Sequence, residues 1–183
     1  MTYVIRLRYL PTSRGFSSHY GTWNAGGDHS THITTADPRS TYTTFGYDFH
    51  RDEDTYLGAI GSYTSDLLVD RFSDLLAEHY RVEQGWFSGY PTGKVKLDSV
   101  AEVPPLFMYL AFENVKLPLK VDEKFEAMYP YQEDPVRRTY LGMISSLDDA
   151  VGRVVNHLKR FSYDKATNTN ITICFAQRIF KER

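Results

Sequence analysis

Glu113, Asn114 and Lys116 follow directly on a continuous apolar and aromatic run, Leu106–Phe112. A run of that length and composition reads as a strand buried on both faces. Side chains at the carboxyl end of a buried parallel strand stand where open α/β sheets place their ligands. A second grouping, Asp28-His29-x-x-His32, has donor types and spacing that could seat a metal, although a Gly/Ser-rich stretch more often carries such residues as ordinary surface polarity. Asp148-Asp149 has the form of a carboxylate pair for metal or acid chemistry. Helical spacing puts it beside a buried face, where acids are commonly solvated or bonded to N–H groups. The sole cysteine, Cys174, lies in the apolar run Ile171–Phe175 and reads as a small buried residue and a poor nucleophile.

These groups need elements to hold them. At 183 residues the chain is long enough for one domain with a real core, 1–183, and no shift of composition divides it. Met1–Leu10 reads as a short strand, broken by turn formers from Pro11 to Phe16. From Ser17 to Asp54 neither hydrophobic period is sustained, and this third reads as a long, loop-rich excursion, unusual in a compact domain unless it lines a site or the chain is incomplete. Helix signals begin at Tyr63-Thr64-Ser65-Asp66, with hydroxyl caps ahead of Leu68, Phe72, Leu75 and Leu76, and reach about His79. Residues 81–103 carry three glycines, a proline and mixed charges, as a surface insertion would. A short helical turn is expected around Glu123–Met128.

Asp134-Pro135 opens the strongest helix, with Asp as N-cap and Pro at the first helical position. Val136, Tyr140, Met143, Leu147, Val151, Val154 and Leu158 step along one face of it, as in an amphipathic helix lying on a sheet. Gly142 and Gly152 interrupt it at a cost of up to about 1 kcal/mol each relative to Ala, and so mark close packing against a strand. With Ile171–Phe175 as a second strand, the order is strand, helix, strand: a right-handed βαβ unit with both carboxyl ends on one edge. The fold class expected is therefore α/β.

Charge and composition exclude several functions. A net charge of −2 with scattered Lys and Arg favours neither nucleic acid nor a membrane surface. No segment approaches transmembrane length. Thr2–Leu10 carries Arg6 and Arg8 and lacks the apolar core of a signal peptide, so the chain as written is expected in the cytosol. Asn170-Ile171-Thr172 is a glycosylation sequon only in a secreted protein.

The order of short segments resembles a family. Tyr9–Phe16, His19-Tyr20-Gly21, Gly27-Asp28-His29 with Thr31-His32, and Gly46-Tyr47-Asp48 come first. Gly61–Asp66, Pro105–Phe112, Pro118-Leu119, Arg138–Met143 and Leu147–Gly152 follow, and Asn170-Ile171-Thr172 falls where a further strand would begin. Across roughly three quarters of the chain these resemble the sulfatases, in the arylsulfatase B-like branch of the alkaline phosphatase-type α/β superfamily. The resemblance implies part of a catalytic domain with a mostly parallel sheet flanked by helices. It also implies a calcium-dependent sulfuric ester hydrolase of the secretory or lysosomal route, acting on aryl or glycosaminoglycan-like sulfates.

In that family a formylglycine made from Cys-x-Pro-x-Arg attacks sulfur, while a divalent ion and several cationic groups hold the sulfate. Here the metal-binding aspartates and that motif would precede the chain, and Cys174-Phe-Ala-Gln-Arg178 lacks the proline. Met1–Leu10 has no Lys-x-His pair, and no Asp-Asn pair for calcium follows Ile171–Phe175. One catalytic position of the family does fall within the chain: its histidine is replaced by Lys116. An ammonium can hold sulfate as a point charge but is a poor substitute for an imidazole as proton donor. Lys116 reads either as a sulfate contact or as a solvated lysine on a loop. The expectation is a sulfatase-family hydrolase whose chain lacks most of the active site and every calcium ligand. The alternative is an inactive remnant or binding module, prone to associate with itself through unpaired strand edges.

Overall fold

A computed structural model describes residues 7–24, 26–35, 45–83 and 105–163. Two long helices dominate it, α1 over Thr64–Glu83 and α3 over Pro135–Arg160, with a single turn, α2, at Glu123–Glu126 between them. Five short strands precede the helices: β1 Tyr20–Gly21, β2 Ile33–Thr35, β3 Phe45–Tyr47, β4 His50–Arg51 and β5 Asp54–Thr55. They form two antiparallel sheets, ordered β1-β4-β5 and β2-β3. Residues 17–54, expected to be loop, therefore hold strands of two or three residues, too short for an alternating pattern to register. Residues 7–9, expected as the end of a strand, are instead a 3-10 turn, and a second such turn covers Pro11–Arg14.

α3 begins as its sequence dictates. Asp134 Oδ1 accepts from the N–H groups of Val136 (2.9 Å) and Arg137 (3.4 Å), and Pro135 needs no partner for a missing N–H. The hydroxyls expected to cap α1 do something else. Thr64 Oγ1 donates to His29 O (3.0 Å) and Ser65 Oγ to Asn114 Oδ1 (3.4 Å), so both face inward to neighbouring segments.

α1 and α3 pack on each other. Phe72, Leu76 and Leu158 form a buried cluster, joined by Val154, Phe161, Tyr163 and two residues of the central run, Met108 and Leu110. Each fully buried member contributes about 2 kcal/mol by removal from water. Polar bridges tie the pair along its length. Arg153 reaches Asp66 and Asp70, Ser73 Oγ meets His157 Nδ1 at 3.0 Å, and Tyr163 Oη lies 2.7 Å from His79 Nδ1 and donates to Glu83 Oε2 at 2.8 Å.

Leu106–Phe112 corrects the picture of a strand buried on both faces. It makes no sheet pairing with the described residues, and its side chains alternate. Met108, Leu110 and Phe112 turn inward, whereas Phe107 (75% exposed) and Tyr109 (77%) face out. A run that is apolar at every position carries no signal of which face is covered. The sheets among the described residues are all antiparallel, and the proposed partner strand Ile171–Phe175 lies outside those residues, as do Cys174, Asn170 and residues 84–103 of the expected insertion. Among the described residues α3 packs on α1 and, through the same cluster, on Met108 and Leu110 of the central run.

Gly142 is a point of close approach, though to α2. A Cβ there would stand 3.0 Å from Val121 Cγ1, 3.2 Å from Glu126 N and 3.3 Å from the Phe125 carbonyl carbon. Gly152 has nothing within 4 Å and marks no packing. No helix among the described residues is long and apolar enough to cross a membrane.

Candidate functional site

The polar end of the central run meets the turn that carries His29. Backbone bonds from Asp28 N to Ile33 O and from His32 N to Asp28 O, both 3.0 Å, close this turn. The Asp28 carboxylate accepts from Ser30 N (2.9 Å), Thr31 N (2.7 Å) and Lys120 Nζ (3.2 Å to each oxygen). Burial works against its charge, but the Thr31 and Ser30 N–H groups and then Lys120 outweigh burial and hold the carboxyl well below its ordinary range. The turn is fixed to α1 where His29 O accepts from Thr64 N at 2.8 Å.

Within this frame Lys116 is held rather than free. Its Nζ donates to Gly27 O at 3.0 Å and stands 3.4 Å from Glu113 Oε2, with 27% of the side chain exposed. Glu113 also accepts from Thr22 Oγ1. Lys116 O receives the Nε2–H of His29 at 3.3 Å, which fixes that tautomer in the neutral ring. His29 Nδ1 is buried without a hydrogen bond, 4.0 Å from Glu113 Oε2, and the ring stacks on Tyr63 (5.4 Å, 26°). Burial, and then the nearby Lys116 charge, lower the pKa of His29. Thr22, Gly27, His29, Glu113 and Lys116 are thus one constellation built from three separate segments.

Asn114 is engaged by the fold itself. Its Oδ1 accepts from Tyr63 Oη (3.2 Å) and Ser65 Oγ, and its Nδ2 donates to Met143 O (3.2 Å), so it joins α1, α3 and the central segment. Tyr63 also donates to Lys120 O at 3.0 Å; burial pushes its hydroxyl up to about 12, with the Asn114 bond acting in the opposite direction.

Asp28, His29 and His32 do not converge on a metal. His29 and His32 are fully buried, not the surface residues expected, and His32 Nε2 donates to Ala59 O at 2.9 Å. Asp48 is similarly taken up, accepting from Trp23 N (3.0 Å) and Asn24 N (2.8 Å) beneath a His50 ring stacked on Trp23 at 3.6 Å. These carboxylates are satisfied by N–H donors, so the donor set among the described residues does not fit a calcium ion, and no group of three metal-ligating side chains is found among them. Asp148 and Asp149 are exposed, with Asp149 near Arg153 at 3.9 Å, in keeping with a structural reading.

The sequence marked Lys116 and Glu113 but missed that His29 sits behind both. Gly27-Asp28-His29 was visible as a segment, yet only the fold shows the 87-residue separation closing.

No family model matches the chain. Arylsulfatase J of Mus musculus is 28% identical over 155 residues, covering 84% of this chain and 22% of the relative. The chain is thus similar to an arylsulfatase over most of its length. The crystal structures of Ps i-CgsB, alone and in complex with k-i-k-neocarrahexaose, superpose with a TM-score of 0.61 at 20% identity. They cover 85% of this chain and 31% of theirs, and show a shared α/β fold. The chain spans less than a third of the length of the proteins it matches.

Proposed function

We propose that the protein acts on sulfate esters as an arylsulfatase-type sulfuric ester hydrolase, and that this chain by itself holds a sulfated ligand without cleaving it. The observation that carries the reading is the fixed Lys116 ammonium. Gly27 O and Glu113 engage two of its three N–H groups and leave one for an anion at the polar end of the central segment. Lys116 stands at the histidine position of the family, so its charge serves binding, with Glu113 and His29 orienting it from behind. The same contacts favour the non-catalytic reading of the chain: the ammonium is engaged by Gly27 O and Glu113 at a position where the family carries an imidazole.

In this reading residues 1–183 belong to one catalytic domain. Leu106–Phe112 is taken as a strand of its mostly parallel sheet. Calcium belongs to the family chemistry and would be held by residues other than those described. The substrate class is an aryl sulfate or a sulfated glycosaminoglycan-like saccharide.

The test is to express the chain with calcium and the formylglycine-generating enzyme, then measure both binding and turnover of 4-nitrocatechol sulfate. Binding that weakens about tenfold or more in Lys116→Ala, with turnover at the buffer blank, is expected. Turnover above the blank overturns the non-catalytic assignment. Binding indifferent to Lys116→Ala overturns the site.

A further inference from the structure

A second cationic feature lies away from Lys116, on the two 3-10 turns of the N-terminal segment. The guanidinium carbons of Arg8 and Arg14 stand 4.8 and 5.4 Å from the centroid of one ring, that of Tyr9. They are therefore within about 10 Å of each other, roughly one Debye length at about 0.1 M salt. Arg8 Nη2 donates to Tyr9 Oη at 2.8 Å, which orients one fork. Both arginines are exposed, and neither has a carboxylate partner among the described residues. One acid tied to these turns, Glu53, accepts from Thr12 Oγ1 at 3.4 Å.

Two like charges drawn to one ring repel, and the ring quadrupole only partly offsets that. An anion between them removes the repulsion, and a guanidinium fork matches the geometry of a tetrahedral oxyanion. The ring is half exposed, and Phe16, one glycine beyond Arg14, is 38% exposed and packs against Phe107 at 5.9 Å. Exposed aromatic faces beside paired cations suit a ligand with both an apolar ring face and an anionic substituent. A sulfated saccharide has both, with pyranose C–H groups for the ring and a sulfate ester for the forks.

We propose that Arg8, Tyr9 and Arg14 form an auxiliary site for a sulfated saccharide, separate from Lys116 and remote from any bond cleavage. The proposal rests on the reading that the protein handles sulfate esters, and it places a further contact for the same polymer on the N-terminal turns.

The experiment titrates the chain with k-i-k-neocarrahexaose and with its desulfated counterpart, following the Tyr9 ring resonances and the affinity by calorimetry. The sulfated sugar is expected to shift Tyr9 and the desulfated sugar to leave it unmoved. Affinity should fall about tenfold or more in the Arg8→Gln/Arg14→Gln double variant, whose thermal midpoint stays that of the wild type. The Tyr9 shift should persist in Lys116→Ala. Binding lost in Lys116→Ala but unchanged in the double variant overturns the auxiliary site while sustaining the proposed function. Equal shifts with both sugars overturn the sulfate assignment. A silent Tyr9 together with a lowered midpoint in the double variant means that an acid of the polypeptide itself occupies the cluster, and overturns the proposal. Absence of any binding overturns both readings.

Discussion

Asn114→Ala tests whether the amide beside Lys116 is a joint of the fold or part of the ligand surface. The substitution removes the donor to Met143 O and the acceptor for Tyr63 and Ser65. Tyr63 retains Lys120 O as a partner, but Ser65, 1% exposed, loses the acceptor of its hydroxyl. One lost hydrogen bond costs about 1 kcal/mol net, and a buried hydroxyl left unpaired about 1–3 kcal/mol more, for a total of about 3 kcal/mol. With a urea m-value of about 2 kcal/mol/M, the midpoint should move down by about 1.5 M at unchanged m. Ser65→Ala is the control, since it deletes the hydroxyl along with its need for a partner and should move the midpoint by less than half as much. A midpoint shift below about 0.3 M for Asn114→Ala, with m unchanged, would refute the assignment of the amide as the bridge between the helices.

Two glycines in α3 should respond oppositely to alanine. Gly142→Ala forces a Cβ against backbone of α2, and the overpacking exceeds the helix-propensity gain of about 1 kcal/mol, so the thermal midpoint falls. Gly152→Ala meets open space and raises it. The buried His29 gives a pH dependence whose sign follows from its lowered pKa. The unfolded chain takes up a proton near the ordinary value of 6.5 before the folded chain does, so stability declines as pH falls below that value. His19 and His50, also lowered chiefly by burial, act in the same direction. His29→Gln, which can still donate to Lys116 O, should flatten the decline by no more than one proton's worth of slope, as read from urea midpoints between pH 5 and pH 7.5.

The helices were legible because their signals are local. Asp134-Pro135 and the three-and-four spacing through Leu158 located α3, and the spacing of Leu68, Phe72 and Leu76 located α1. What those helices rest on was not legible, because an apolar face does not name its partner. Thr64 and Ser65 look like caps in sequence, since Ser and Thr favour that place, but their hydroxyls donate to oxygens 35 and 49 residues away, which no local pattern announces. At Glu113–Lys116 the sequence named the residues but not their contacts. Asn114 looked like a ligand contact and is a bridge, while His29, set aside among surface polar residues, stands directly behind Lys116.

The bridges between α1 and α3 fall near both ends and the middle of the contact, and this bears on how the pair opens. Sliding one helix past the other by a turn, about 5.4 Å, would carry His157 away from Ser73 and Tyr163 away from His79 and Glu83, whereas Arg153, which spans Asp66 and Asp70 one turn apart, would keep a carboxylate. Slippage therefore costs two of the three links at once, both toward the end where Tyr163 closes the contact. The two helices should exchange their amide hydrogens as a single unit, with similar protection along α1 and along α3 from Arg153 onward, so that the pair behaves as a mechanical strut against which the shorter strands and turns are braced.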